Sequence, residues 1–314
     1  MPIGLLYGLS AATVWGLTDV CAALAGRRIG SLRTVAGMQL TSLIVLLALA
    51  LLTRSELPIE PSIVPAAAAL GALSSIAYLS FFSALRFGPI TVVSPVVSAY
   101  GGLTVILAVI LLGEALTRLQ ALGTATGTAG VLLVGLTFDG HWRRARFVGP
   151  GVPLAIVALV TWAFVTIGYA AAIEQAGWLP VIVVARVANT ITVWILLAGW
   201  LLVERRRRAA RPAGATADPG DAAGAPDDPA PDPRDLRTRA LALVVLGGVL
   251  DIAGYVAFAI GLERSFAWLV GLASSFGPAV AVLVAVTVLG ERLRPVQWLG
   301  LAGIAVGLVL VGLP

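Results

Sequence analysis

Three charged side chains sit inside long apolar stretches: Asp19, Arg186 and Asp251. At the depth of a bilayer an unpaired charge costs about 3 kcal/mol or more, so such residues pair with one another or face a water-filled cavity. A carboxylate in that position can hold an ammonium group or take up a proton, and a guanidinium can grip a carboxylate. Arg186 with one of the aspartates therefore suits a zwitterion such as an amino acid. The bland alternative is an internal ion pair that only fixes the packing. Asp251 lies about 12 residues into its stretch, about 18 Å at the α-helical rise, close to a bilayer midplane. Gln39, Asn189, Thr18, Ser74, Ser98 and Ser275 are polar side chains that can complete a cavity around these charges. Trp15, Tyr78, Trp162 and Tyr255 can line it, because such a ring offers an apolar body with a polar edge. Ordinary helix packing accounts for each of them equally well. Pro95 and the Gly277-Pro278 pair fall within apolar runs, where a missing backbone donor kinks a helix into either a hinge or a static bend.

Holding these residues at such depth requires spanning elements, and the composition supplies them. The chain has 314 residues, 59% hydrophobic and 12% charged, with a mean hydropathy of +0.98. Soluble domains carry about 25% charged residues, so this chain cannot cover a water-facing surface. A spanning helix needs about 20 mostly apolar residues. Ten runs qualify, near 3–25, 33–53, 63–86, 90–112, 117–137, 150–173, 179–203, 239–262, 266–289 and 295–313. The expected fold class is an all-α integral membrane protein of ten transmembrane helices. The breaks fall at Gly26-Arg27-Arg28, from Arg54 to Pro61, at Gly88-Pro89, at Gly113-Glu114, from His141 to Pro150, and from Gly177 to Pro180.

The chain contains one pattern twice. Leu112-Gly113-Glu114-Ala115-Leu116, then Gln120, Gly123, Gly130 and Gly135, returns as Leu289-Gly290-Glu291-Arg292-Leu293, then Gln297, Gly300, Gly307 and Gly312. The offset is 177 residues, and it also pairs Gly71 with Gly248, Tyr78 with Tyr255, Phe81 with Phe258 and Leu85 with Leu262. Nearer the N-terminus an offset of 147 pairs Gly4 with Gly151, Trp15 with Trp162 and Gln39 with Arg186. The difference is taken up by a linker in the second half. Five segments per copy is an odd number, so the second copy enters the membrane the opposite way up, which makes an inverted repeat with a site between the halves. An apolar helix, Gly-Glu-x-Leu and a Gly-rich apolar helix, present twice, resemble the EamA-type transporters of the drug/metabolite transporter superfamily. The resemblance covers nearly the whole chain apart from the region around 204–238. It implies a secondary transporter of small organic metabolites, an exporter of amino acids or amphipathic compounds, working by alternating access with or without coupling to protons. Export rests on the resemblance alone, and the residues themselves suit import as well.

The expected domains are a first repeat over 1–138, a basic loop over 139–149, and a second repeat over 150–314 containing a disordered linker at 204–238. That linker opens with Arg205-Arg206-Arg207-Arg208 and continues in Pro, Ala, Gly and Asp, a composition with little to bury. The net charge of +5 comes from arginine without a single lysine, and the arginines lie between the apolar runs. They read as topology signals rather than as a nucleic-acid surface. Arg27, Arg28, Arg33, Arg143, Arg144, Arg146, the Arg205 run, Arg292 and Arg294 mark the odd-numbered loops as cytoplasmic and both termini as outside. The resemblance implies the reverse for the termini. Arginine-only, alanine-rich usage fits a GC-rich bacterial genome, and so the cell membrane (plasma or inner). Glu114 and Glu291 are read as turn residues, each opening the helix that follows it. Gly123-x-x-x-Gly127 and Gly303-x-x-x-Gly307 suit close helix packing, either between the two halves or in a homodimer.

No enzyme motif is present: no phosphate-binding loop, no His-Cys cluster and no Gly-x-Ser-x-Gly. The single Cys21 excludes an intrachain disulfide and a cysteine metal site, and His141 reads as a surface residue, so neither metal nor cofactor is expected. The expected partners are a small-molecule substrate and membrane lipids. A lipid or polyprenyl-phosphate flippase is the alternative, and a membrane-embedded enzyme is less favoured because no acid or histidine cluster accompanies the basic loops. The arginines of the first run follow its apolar core rather than precede it, which argues against a cleaved signal peptide.

Overall fold

The computed structural model describes residues 3–52, 58–87, 93, 96–135, 151–209, 233–277, 280 and 295–313. Among these there is no strand. In lipid every backbone donor and acceptor must be satisfied within the element, which leaves the helix as the form an apolar run can take. The helices are α1 (Ile3–Ile29), α2 (Ser31–Leu52), α3 (Val64–Phe87), α4 (Tyr100–Leu107), α5 (Arg118–Gly135), α6 (Gly151–Ala176), α7 (Trp178–Ala209), α8 (Pro233–Arg264), α9 (Ala267–Ser274) and α10 (Pro295–Gly312). Seven of them, α1, α2, α3, α6, α7, α8 and α10, are long and apolar enough to cross a membrane.

Several boundaries differ from the expected ones, each for a local reason. α1 runs through Gly26, Arg27 and Arg28 and stops at Gly30, whose φ of 87° only glycine adopts freely. The two arginines thus occupy its last turn, where cations favour the negative end of the helix. Gly177, at the same place in the second half, has a φ of 77° and separates α6 from α7 in the same way. α7 continues through the Arg205 run to Ala209, and α8 begins at Pro233, so the two ends of the expected 204–238 linker are helical. Arginine and alanine are strong helix formers and carry each helix past its apolar part; residues 210–232 lie outside the described residues. α4 closes with a π-helical turn over Ala108–Leu112 before Gly113. α9 stops at a turn, Ser275-Phe276, because a proline at 278 cannot donate to the Ser274 carbonyl. Within this last turn the hydroxyls of Ser274 and Ser275 donate back to the carbonyls of Gly271 (3.0 Å) and Leu272 (2.7 Å).

Small residues make up much of the buried helix faces, and many large apolar side chains stand outward. On α1 the buried face is Gly4, Gly8, Ala11, Ala12, Gly16 and Thr18, while Ile44, Leu52, Ile195, Leu299 and Val309 stand more than half exposed on other helices. That is the inverse of a water-soluble bundle and is how helices pack in lipid, where close backbone approach supplies the attraction. α1 lies along α8 and α6 along α3; α2 packs on α8 and α7 on α3; α1 meets α9 and α6 meets α4. α2 pairs with α7, α4 with α9 and α5 with α10. Each of these contacts between the halves thus has a counterpart with the halves exchanged, or is its own counterpart.

The glycines repeat this relation at atomic scale. Gly71 of α3 lies directly on the Ala185 carbonyl of α7, and a methyl group on Gly248 of α8 would come 2.7 Å from the Met38 carbonyl of α2. Between α5 and α10, a methyl group on Gly123 would come 2.8 Å from the Gly307 carbonyl, and one on Gly130 2.7 Å from the Gly300 carbonyl. The glycine faces open to either halves or dimer are therefore occupied within the chain.

Candidate functional site

Asp251 lies midway along α8 and is 1% exposed. The Tyr78 hydroxyl on α3 donates to its Oδ1 at 2.6 Å, and Arg186 Nη1 on α7 donates to its Oδ2 at 2.9 Å. Ser42 Oγ on α2 sits 2.9 Å from the same Oδ2 and 2.7 Å from the Gly248 carbonyl, so its single proton is shared between them. Arg186 also donates to Gln39 Oε1, and its guanidinium lies 4.4 Å from the centre of the Tyr255 ring. Four helices, α2, α3, α7 and α8, thus meet on one buried ion pair. Gln39 and Arg186 occupy matching places in the two halves and bond to each other where the halves meet.

Beside this pair opens a cavity of about 80 Å³, enough for several water molecules. Its described walls come from α1, α3 and the start of α4 in the first half, and from α6, α8 and α9 in the second. Half of the described lining side chains are aromatic. Trp15 stands edge-on to Tyr255 at 5.8 Å and Trp162 edge-on to Tyr78 at 4.9 Å. These two pairs are the same contact made twice across the halves, with the halves exchanged. The Trp15 indole N–H also donates to the Asp251 backbone carbonyl at 3.2 Å. On the other wall the Tyr100 and Ser274 hydroxyls lie 2.7 Å apart.

Asp19 is the second acid of the cavity wall. It falls one turn beyond Trp15 on the same face of α1, and among the described residues no hydrogen-bond or ion-pair partner meets its carboxylate. Arg186 and Gln39, expected in the wall, stand behind it, Arg186 bound to Asp251 and Gln39 to Arg186. Asn189, one turn beyond Arg186 on α7, is buried; neither end of its side-chain amide has a partner among the described residues, and Arg186 Nη2 is likewise unpaired there. The Asn189 backbone carbonyl accepts from Ser75 Oγ at 3.3 Å.

Of the expected site residues, Trp15, Asp19, Tyr78, Trp162, Asp251, Tyr255 and Gly277 line the cavity together, as do Thr18 and Ser98 from the wider polar set. Pro95 and Pro278 lie outside the described residues. Ser42, Phe82, Tyr100, Thr166, Tyr169 and Ser274 join the ion pair or the wall without having been singled out. For Ser42 a signal existed, since it matches Asn189 at the 147-residue offset. Glu114 serves a different element from the one expected. Its carboxylate accepts from the backbone N–H groups of Ala267 (2.8 Å) and Trp268 (3.0 Å), capping α9 of the other half. α5 is capped by Thr117 and Gln120, which bond each other's backbone N–H groups. Among the described residues no three potential metal ligands come together.

A helical, multi-pass membrane protein with a cavity walled by both halves of its chain is the class these features define. A solved structure titled "Crystal structure of protein" is similar to this chain, with a TM-score of 0.71 at 20% identity, over 98% of this chain and 96% of that one; at that identity it speaks for the fold alone. No curated protein matches. The sequence profile of the EamA-like transporter family matches residues 2–136 and again 149–313. The chain belongs to that family, and so is a membrane transporter of the drug/metabolite transporter superfamily.

Proposed function

We propose that the protein is a secondary transporter that exports small organic metabolites across the cell membrane by alternating access, as ten spans in two inverted five-helix units over 1–138 and 150–314. The observation that carries this is the cavity: both halves contribute to its wall, and its two matching aromatic pairs each join a ring of one half to a ring of the other. The matched contacts of the two halves support the inverted arrangement, since rocking one half against the other then exposes the same cavity to either side. Asp19, Trp15, Tyr78, Trp162 and Tyr255 touch the substrate in this reading. Arg186, Gln39 and Asp251 shape the site from behind or beside it, and Gly277 serves as a hinge. Asp19 is the carboxylate available to a proton. Arg27, Arg28, Arg205 and Arg206 end α1 and α7 on one side, which we assign to the cytoplasm by the positive-inside rule.

The test is counterflow in proteoliposomes with a panel of amino acids, aromatic amines and quaternary ammonium compounds, with and without an imposed pH gradient. Saturable counterflow is expected for at least one class, and Thr166→Trp, which fills the cavity from α6, abolishes it while the protein stays monodisperse. Accumulation that follows the pH gradient establishes proton coupling. No counterflow above protein-free liposomes for any compound would overturn the transport reading.

A further inference from the structure

We propose that the cavity takes a monovalent organic cation with an aromatic or apolar body, and that Asp19 is its counter-charge; this deepens the transport reading and rests on it. The argument is a count of charges. Two acids, Asp19 and Asp251, face the cavity, and among the described residues no basic side chain does. Asp251 is already matched by Arg186 at 2.9 Å and further satisfied by Tyr78 and Ser42. Asp19 is matched by nothing among the described residues. Among its described residues the wall therefore carries one carboxylate without a counter-charge.

Each ligand class meets that charge differently. An anion is repelled by it. A zwitterion needs a second, positive anchor for its carboxylate, and the nearest candidate, Arg186, stands behind the wall holding Asp251 and Gln39. Withdrawing it would leave Asp251 buried without its cation. A neutral molecule filling the cavity would strip water from Asp19 and give nothing in return. Of these ligands a cation cancels the charge without Asp19 having to take up a proton, and the electron-rich faces of the surrounding rings add to its attraction. Trp15 is placed for this, one turn from Asp19 on the same face of α1.

The experiment measures binding to the detergent-purified full chain by titration calorimetry. The probes are benzyltrimethylammonium, its neutral carbon isostere neopentylbenzene, benzoate and phenylalanine. Benzyltrimethylammonium cannot lose its charge, so its affinity reports the counter-charge directly. It is expected to bind at least about thirtyfold more tightly than the isostere, as removal of one partner from a desolvated charge pair requires. That preference disappears in Asp19→Asn and survives in Asp19→Glu. Equal binding of cation and isostere, tighter binding of benzoate or phenylalanine, or a preference unchanged in Asp19→Asn overturns the assignment. The wild-type comparison stands alone should the variant fail to fold. Counterflow of the same probes separates the two readings. Cation binding without counterflow sinks transport and keeps the site, whereas phenylalanine counterflow without cation binding sinks the cation site and keeps transport.

Discussion

The ion pair of Arg186 with Asp251 joins residues 65 apart in sequence and leaves both nearly without solvent contact. Such a pair is weak evidence for stability as a whole, yet breaking it from one side is costly because the remaining charge stays buried alone. Asp251→Asn is accordingly expected to destabilise the protein by about 3–5 kcal/mol, and Arg186→Gln in the same background to restore most of that loss. Unfolding in detergent, followed by circular dichroism for both single variants and the double, measures this. A loss in the double equal to the sum of the two single losses would show that the pair does not act as a unit. The three charges were legible in the sequence because nothing in an apolar run hides an Asp or an Arg. Their partners were not. Arg186 could have faced the cavity, and only the packing of α7 with α2 and α8 decides that it turns to Gln39 and Asp251.

At the scale of elements, the glycines decide how closely the helices approach. Gly71 and Gly248 sit on carbonyls of α7 and α2, whereas Gly199, on α7, has open space where a methyl group would go. Gly71→Ala and Gly248→Ala are each expected to cost about 1–3 kcal/mol through overpacking. Gly199→Ala, which relieves a helix of a poor former, should instead stabilise by up to about 1 kcal/mol. Thermal unfolding of the three variants checks the signs, and a loss at Gly199 equal to the other two would refute the packing account. Seven helix positions came through in the sequence because those apolar runs have a bilayer's length. Ends came through less well: Arg27 and Arg28 signalled a break where they in fact complete α1, and the arginines after α7 prolong a helix. The role of Glu114 was out of reach, because its motif says where the chain turns and not that another half's helix begins beside it.

At the scale of the molecule, nearly every helix has its main neighbours in the other half: α1 on α8, α3 on α6 and α7, α5 on α10. A half expressed alone exposes those faces with nothing to meet them. Residues 1–138 and 150–314 are therefore expected to be degraded or aggregate when made separately, and to co-purify as a stable pair when made together. Affinity capture through a tag on one half tests this; a well-behaved single half would show that the repeats are independent units. The duplication was visible in the sequence from the 177-residue offset, but the depth of the match was not. It appears only when Trp15 is seen against Tyr255 just as Trp162 is against Tyr78. The match stops at the charges. Arg186 and Asp251 stand in the second half, and the first half has Gln39 and Ser74 in their places. Two identical halves could trade roles at no net energy, leaving an empty carrier open to each side half of the time. Under the proposed alternating access, the one ion pair among the described buried residues, made from one half alone, would lift that degeneracy. Gradients set the net direction of flow in any carrier, but this pair would set which side finds the door already open.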